Sequence, residues 1–131
     1  MNKVLESVSR LGELSMVDFF PLAAQWTKES GDLEQDLECI KLWLRDLVLS
    51  RLISDYIPML PADESTVKQA RKRSVESLLS LFAYIEKARL LLRQNANKQL
   101  TLEGVCLAIK ENLYGESHWN SLSQRREDLS F

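Results

Sequence analysis

Histidine, cysteine, glycine and proline are all scarce in this sequence, with one His, two Cys, four Gly and three Pro among 131 residues. A single histidine, His118, and the absence of any C-x-x-C pair leave no zinc-site spacing to assemble. No cofactor is therefore expected. Cys39 and Cys106 read as buried, reduced thiols rather than as a bridge. Low Gly and Pro content excludes collagen-like and low-complexity chains. There is no Gly-rich phosphate loop, no G-x-S-x-G and no H-E-x-x-H. No apolar run approaches the roughly 18 residues of a membrane span, and the first ten residues mix Lys3, Glu6 and Arg10 with single apolar ones, unlike a secretion signal. A cytoplasmic protein without a membrane partner is expected. An excess of one charge is missing too: 17 Lys and Arg against 19 Asp and Glu give a net charge of −2. Overall charge therefore supplies no pull toward nucleic acid.

What is present is a chain that is 45% hydrophobic and 27% charged, the composition of one globular domain. At this length folding buries roughly two-thirds of the surface that the unfolded chain exposes, enough for one core. Apolar residues recur at three and four nearly throughout, while strict alternation is absent, so the spacing predicts an all-α, compact bundle of about five to six helices.

The first segment puts Val4, Leu5, Val8, Leu11 and Leu14 on one stripe and stops near Gly12 and Ser15. Ser15 with Asp18 has the form of a capping box, and Pro21 must then fall in the first turn of a helix that ends at Gly31. Asp32 with Gln35 repeats the pattern and opens the longest helix, from Leu33 to about Ser54, whose broad apolar stripe marks it as central. Pro58 and Pro61 set a packed turn. A polar helix from Glu64 to Arg73 has only Val67 and Ala70 as anchors. Ser74 caps a strongly amphipathic helix that runs to Gln94, Asn95-Ala96-Asn97 breaks it, and Asn97 opens a last helix that Gly115 closes. Residues 1–115 thus read as one helical domain, and residues 116–131 as a polar, partly disordered tail.

Candidate chemistry is thin. His118 stands in the tail without an orienting partner. Glu34, Glu38 and Asp36 with Lys41 sit where solvated helix faces and i, i+4 pairs are ordinary. Trp26 and Trp43 occupy helical core positions. Lys68, Arg71, Lys72 and Arg73 are the one concentration of like charge, and they support an alternative reading as a small helical nucleic-acid-binding protein. Against it, no aromatic is interleaved for base stacking, and Asp63, Glu64 and Glu76 flank the run.

Two local strings carry a family likeness. Leu42-Trp43-Leu44-Arg45-Asp46-Leu47 lies in the long helix; Ala88-Arg89, then Leu92-Arg93-Gln94-Asn95-Ala96-Asn97, then Leu100, Leu102 and Glu103, follow in order. With Asp18-Phe19-Phe20 and Trp26 ahead of them, these resemble the C-terminal helical (collar) domain of the bacterial DNA polymerase III clamp-loader delta-prime subunit. The strings cover about half of the chain. Asn95 suits the backbone that leaves a helix and Asn97 the N-cap of the next, which makes a helix corner where Leu100, Leu102 and Val105 pack back on Leu91, Leu92 and Ile85.

The resemblance implies a non-catalytic, subunit-assembly domain that supports sliding-clamp loading in DNA replication. Its partners would be the tau or gamma and delta subunits, with DNA reached only through the complex. Trp43, Arg45, Asp46, Asn95, Asn97, Leu100 and Glu103 would be its structural or subunit-contact residues, Arg45 and Asp46 as a surface pair or a contact to a neighbouring subunit. It also implies a preceding nucleotide-binding-like module with a zinc site, so that Met1 begins a truncated chain and residues 1–14 are either linker or domain.

Overall fold

A computed structural model describes residues 3–57 and 64–115. The apolar spacing becomes six α-helices: α1 (Lys3–Ser9), α2 (Phe19–Glu29), α3 (Leu33–Leu52), α4 (Glu64–Lys72), α5 (Val75–Arg93) and α6 (Lys98–Leu113). Two 3-10 turns, Leu11–Glu13 and Met16–Asp18, join α1 to α2. Among the described residues there is no strand, and the chain is an all-α helical bundle. No helix in it is long and apolar enough to cross a membrane. The Pro58 to Pro61 turn and the tail from residue 116, with His118, lie outside the described residues.

Helix starts follow the side chains that can cap them. Asp32 accepts from the Gln35 N–H at 3.1 Å, Ser74 from Ser77 at 3.1 Å and Asn97 from Leu100 at 2.9 Å. Each such bond satisfies a donor that the helix itself cannot and contributes about 1 kcal/mol. Ahead of α2 the Ser15 N–H donates to Asp18 Oδ2 at 3.0 Å, and Pro21 falls in the first turn, where a missing N–H removes no helix bond. α2 stops at Glu29, slightly before Gly31, because Ser30 is already extended (φ −71°, ψ 133°).

Between α5 and α6 the chain turns within a few residues. Asn95 takes φ +60°, the Ala96 N–H reaches the Leu91 carbonyl at 3.0 Å and the Asn95 N–H reaches Leu92 at 3.2 Å. That is a Schellman closure with asparagine in the left-handed position. Gly115, at φ +75°, follows α6 as expected.

The core is built from Leu37, Ile40, Trp43, Leu44 and Leu47 of α3, Leu78, Leu81, Ile85 and Ala88 of α5, and Leu102, Val105, Cys106, Ile109 and Leu113 of α6. α5 lies between α3 and α6; α2 packs on α6, and α3 also meets α1 and α4. Leu5, Val8 and Leu11, each no more than 2% exposed, enter the same core, so residues 4–14 pack with the bundle. The corner departs from expectation at two positions. Leu100 is 67% exposed and Leu91 is exposed as well, so the packing across it falls to Leu102, Val105 and Ile85 with Leu92 at the margin. As the third residue of α6, Leu100 stands in the first turn, on the side away from Leu102. Both cysteines are free thiols, yet only Cys106 is buried; Cys39 is half-buried on the flank of α3.

Candidate functional site

The Trp43-Leu44-Arg45-Asp46-Leu47 string divides by helical geometry. Trp43, Leu44 and Leu47 are core, and Arg45 faces solvent. Asp46 does not form a surface pair with Arg45: it is 4% exposed and accepts a 2.7 Å hydrogen bond from the Tyr56 hydroxyl. The same bond, with burial behind it, raises the Tyr56 pKa above that of an ordinary phenol. Asp46 thus pins the chain leaving α3 back onto the helix. Asn95 and Asn97 form the corner described above. Glu103 is half-buried and accepts from Gln99 Nε2 at 3.3 Å, one turn earlier on α6.

Glu38 keeps an in-helix partner in Lys41 at 3.5 Å, and beyond that Glu34, Glu38 and Lys41 tie α3 to α5. Glu34 meets Arg93 at 2.5 Å, Glu38 meets Arg89 at 2.8 Å, and Lys41 meets Glu86 at 2.7 Å. The rising numbers on α3 pair with falling numbers on α5, which sets the two helices antiparallel and fixes their register. Lys41 and Arg89 are under one-fifth exposed, so their pairs are screened less than the outer Glu34 and Arg93 pair. Lys41 Nζ also stands 5.3 Å from the Phe82 ring centroid. The hydrogen bond from Lys41, with Arg89 nearby, holds the Glu86 carboxyl below the usual carboxylate range. Asp36 does not pair with Lys41; it accepts from Trp26 Nε1 at 2.9 Å and from the Ser30 hydroxyl at 2.5 Å, joining α2 to α3.

A cleft of about 620 Å³ opens between α1 and α2, with Val8, Leu22 and Trp26 on its walls and Cys106 among its lining. Burial pushes the Cys106 thiol up to about 12, with Glu103 adding to the effect, so at neutral pH it is a protonated apolar group and not a nucleophile. The polar groups of this cleft at Trp26, Ser30 and Asp36 are the ones that tie α2 to α3. Among the described residues no three His, Cys, Asp or Glu side chains are grouped to hold a metal ion.

The basic stretch is split by the fold. Lys68, Arg71 and Lys72 are exposed, but Arg73 turns inward and donates from Nε to the Asn112 carbonyl at 3.2 Å, in the last turn of α6. It lies past the end of α4, where the chain no longer follows the helical face.

Sequence reasoning passed over one buried cation. Lys110 is 7% exposed, and its Nζ donates to the carbonyls of Leu11 at 3.3 Å, Gly12 at 3.4 Å and Leu14. A signal for it exists: Lys110 lies four residues after Cys106 and three before Leu113, on the buried stripe of α6. Tyr114 acts beside it, its hydroxyl reaching the carbonyls of Val8 at 3.2 Å and Ser9 at 3.0 Å.

Large apolar side chains remain uncovered on the outer faces: Leu42 of α3, Leu79 and Leu90 of α5, and Leu100 of α6 are each 44% exposed or more. Comparisons of the chain with protein-family models, with curated proteins and with solved structures return no significant match.

Proposed function

We propose that this chain is a subunit-assembly domain of the clamp-loader collar type, resembling that of the delta-prime subunit, and that it acts by binding neighbouring helical domains rather than by chemistry. The observation that carries the reading is the α5–α6 corner, where Asn95 takes the left-handed position and Asn97 caps the next helix, as the Asn-x-Asn string requires. The six-helix bundle with Trp43 in its core is consistent with it. So are the apolar side chains left on the outer faces of α3 and α5, which a neighbouring helical domain would cover. In this reading the partners are the tau or gamma and delta subunits, DNA is met through the complex, and clamp loading is driven by ATPase modules elsewhere.

Light scattering after size exclusion tests it. The chain alone, and mixed with the C-terminal domain of a tau or gamma subunit, should give a new co-eluting species. Leu79→Glu with Leu90→Glu should abolish that species while leaving the circular-dichroism melt of the chain in place. Two unchanged peaks, repeated with full-length subunits, would refute the assembly role.

A further inference from the structure

α4 packs through Thr66 and Ala70, each 1% exposed, and presents Lys68, Arg71 and Lys72 to solvent. At i, i+3 and i+4 the three share one helix face within a rise of about 6 Å. Positive charge at this corner of the bundle has structural uses, and other residues meet them. Arg51 Nε donates to the Arg73 carbonyl just beyond α4 at 3.4 Å, and Arg73 Nε serves the last turn of α6. Lys68, Arg71 and Lys72 make no ion pair or hydrogen bond with any described side chain. Arg71 and Lys72 favour the negative end of α4, but Lys68 stands a turn earlier, outside the reach of that effect.

We infer that the Lys68, Arg71 and Lys72 face of α4 docks the phosphodiester backbone of nucleic acid. The chemistry separates this occupant from an acidic protein. A protein interface is anchored by apolar or aromatic side chains inside a polar rim, and lysine is depleted from it. Val67 is packed against the core, so it is no anchor, and among the described side chains of α4 the exposed ones, Lys68, Arg71 and Lys72, are all cationic. Phosphate docking needs only cations on long, adaptable stems, with the Arg71 guanidinium able to bind two phosphate oxygens at once. The lack of an aromatic on this face excludes base stacking, so binding is to the backbone and indifferent to sequence. The inference goes beyond the assembly role, in which DNA is met through the complex, by adding a direct backbone contact, and it stands or falls without that role.

Fluorescence anisotropy of the 131-residue chain with labelled single-stranded and duplex DNA of mixed sequence decides the matter, with labelled polyglutamate as the competing polyanion. Weak binding at low salt is expected, indifferent to base sequence. Neutralising three cations gives a log–log salt slope of about −2.7 for duplex and about −2.1 for single strands. Lys68→Glu, Arg71→Glu and Lys72→Glu together should weaken DNA binding about tenfold or more. The milder Lys→Gln and Arg→Gln triple, which keeps helix-forming side chains, should flatten the salt slope while preserving the melt. Lys28→Glu, Lys87→Glu and Lys98→Glu make the same change in net charge elsewhere and should leave most of the binding intact. No binding at low salt, equal losses in the two charge-reversed triples, or binding to polyglutamate but not DNA would each overturn the inference.

Discussion

The α5–α6 corner and the N-terminal segment from α1 to Leu14 both have backbone groups that their own helices leave unpaired, and they satisfy them differently. In the corner every bond is local: Asn97 to Leu100, Asn95 to Leu92 and Ala96 to Leu91. The N-terminal segment has local turn bonds too, such as Leu14 N–H to the Leu11 carbonyl, but five further bonds to its carbonyls come from the side chains of Lys110 and Tyr114, 96 to 106 positions away in the chain. A corner closed by its neighbours keeps its shape wherever the two helices form. A segment closed by α6 keeps its place only while α6 is folded and correctly docked. The difference shows which parts of the bundle are autonomous and which are conditional.

The comparison breaks most visibly at Lys110. Lys110→Met removes the donor to three carbonyls: Leu11 keeps the Leu14 N–H, while the part-buried carbonyls of Gly12 and Leu14 lose the lysine. A loss of about 3 kcal/mol is expected in chemical denaturation. Amide exchange should rise in residues 4–14 and not at the corner, so equal rises in both would contradict the division. Next comes Gly12, where a Cβ would lie 2.7 Å from the Tyr114 ring. Gly12→Ala should destabilise by about 2 kcal/mol, because the ring is held by its bonds to Val8 and Ser9. Gly104→Ala sharpens the contrast. Its Cβ would meet only the hydroxyl end of the part-exposed Tyr84, which can swing away, and the helix gains about 0.5–1 kcal/mol from losing a glycine, so the net change should be near zero.

At the corner, Asn97→Ala should cost about 1 kcal/mol and fray the first turn of α6 alone, seen as local amide exchange. Asn95→Gly should be neutral where Asn95→Ala costs about 1 kcal/mol, the signature of a left-handed backbone. At the α3–α5 ladder the effect depends on pH. Glu86 has its pKa lowered by Lys41, so its contribution is complete above the ordinary carboxylate range and disappears as pH falls through the lowered value. Melting temperatures of wild type and Glu86→Gln should therefore converge on acidification. A constant difference across that range would separate the stability from this ion pair.

How far the sequence could be read follows the same line. Asp32, Ser74 and Asn97 announced their helices because a cap is decided by a residue and the three that follow it. Gly115 and Asn95 announced their helix ends because few residues tolerate positive φ. Leu100 misled because periodicity near a helix start does not say where the neighbouring helix ends. Arg73 misled because its place in a basic run says nothing of the turn that aims it at Asn112. Asp46 looked like half of a surface pair with Arg45, but two consecutive positions on a helix point about 100° apart, and only one of them could face water. The ion-pair ladder was present in the sequence as two charge strings; pairing them required the antiparallel register of α3 and α5.

By itself the sequence determined that this protein is helical, where most helices begin and end, and which stripe of each is apolar, since those properties are settled within a turn or two of chain. The tertiary structure alone decided that Lys110 and Tyr114 hold the N-terminal segment, that Asp46 is buried with the Tyr56 hydroxyl on it, and that three of four clustered cations stay exposed on α4 while Arg73 turns inward. Those outcomes depend on which distant carbonyl, hydroxyl or carboxylate each side chain meets, and only packing brings those groups within hydrogen-bond reach.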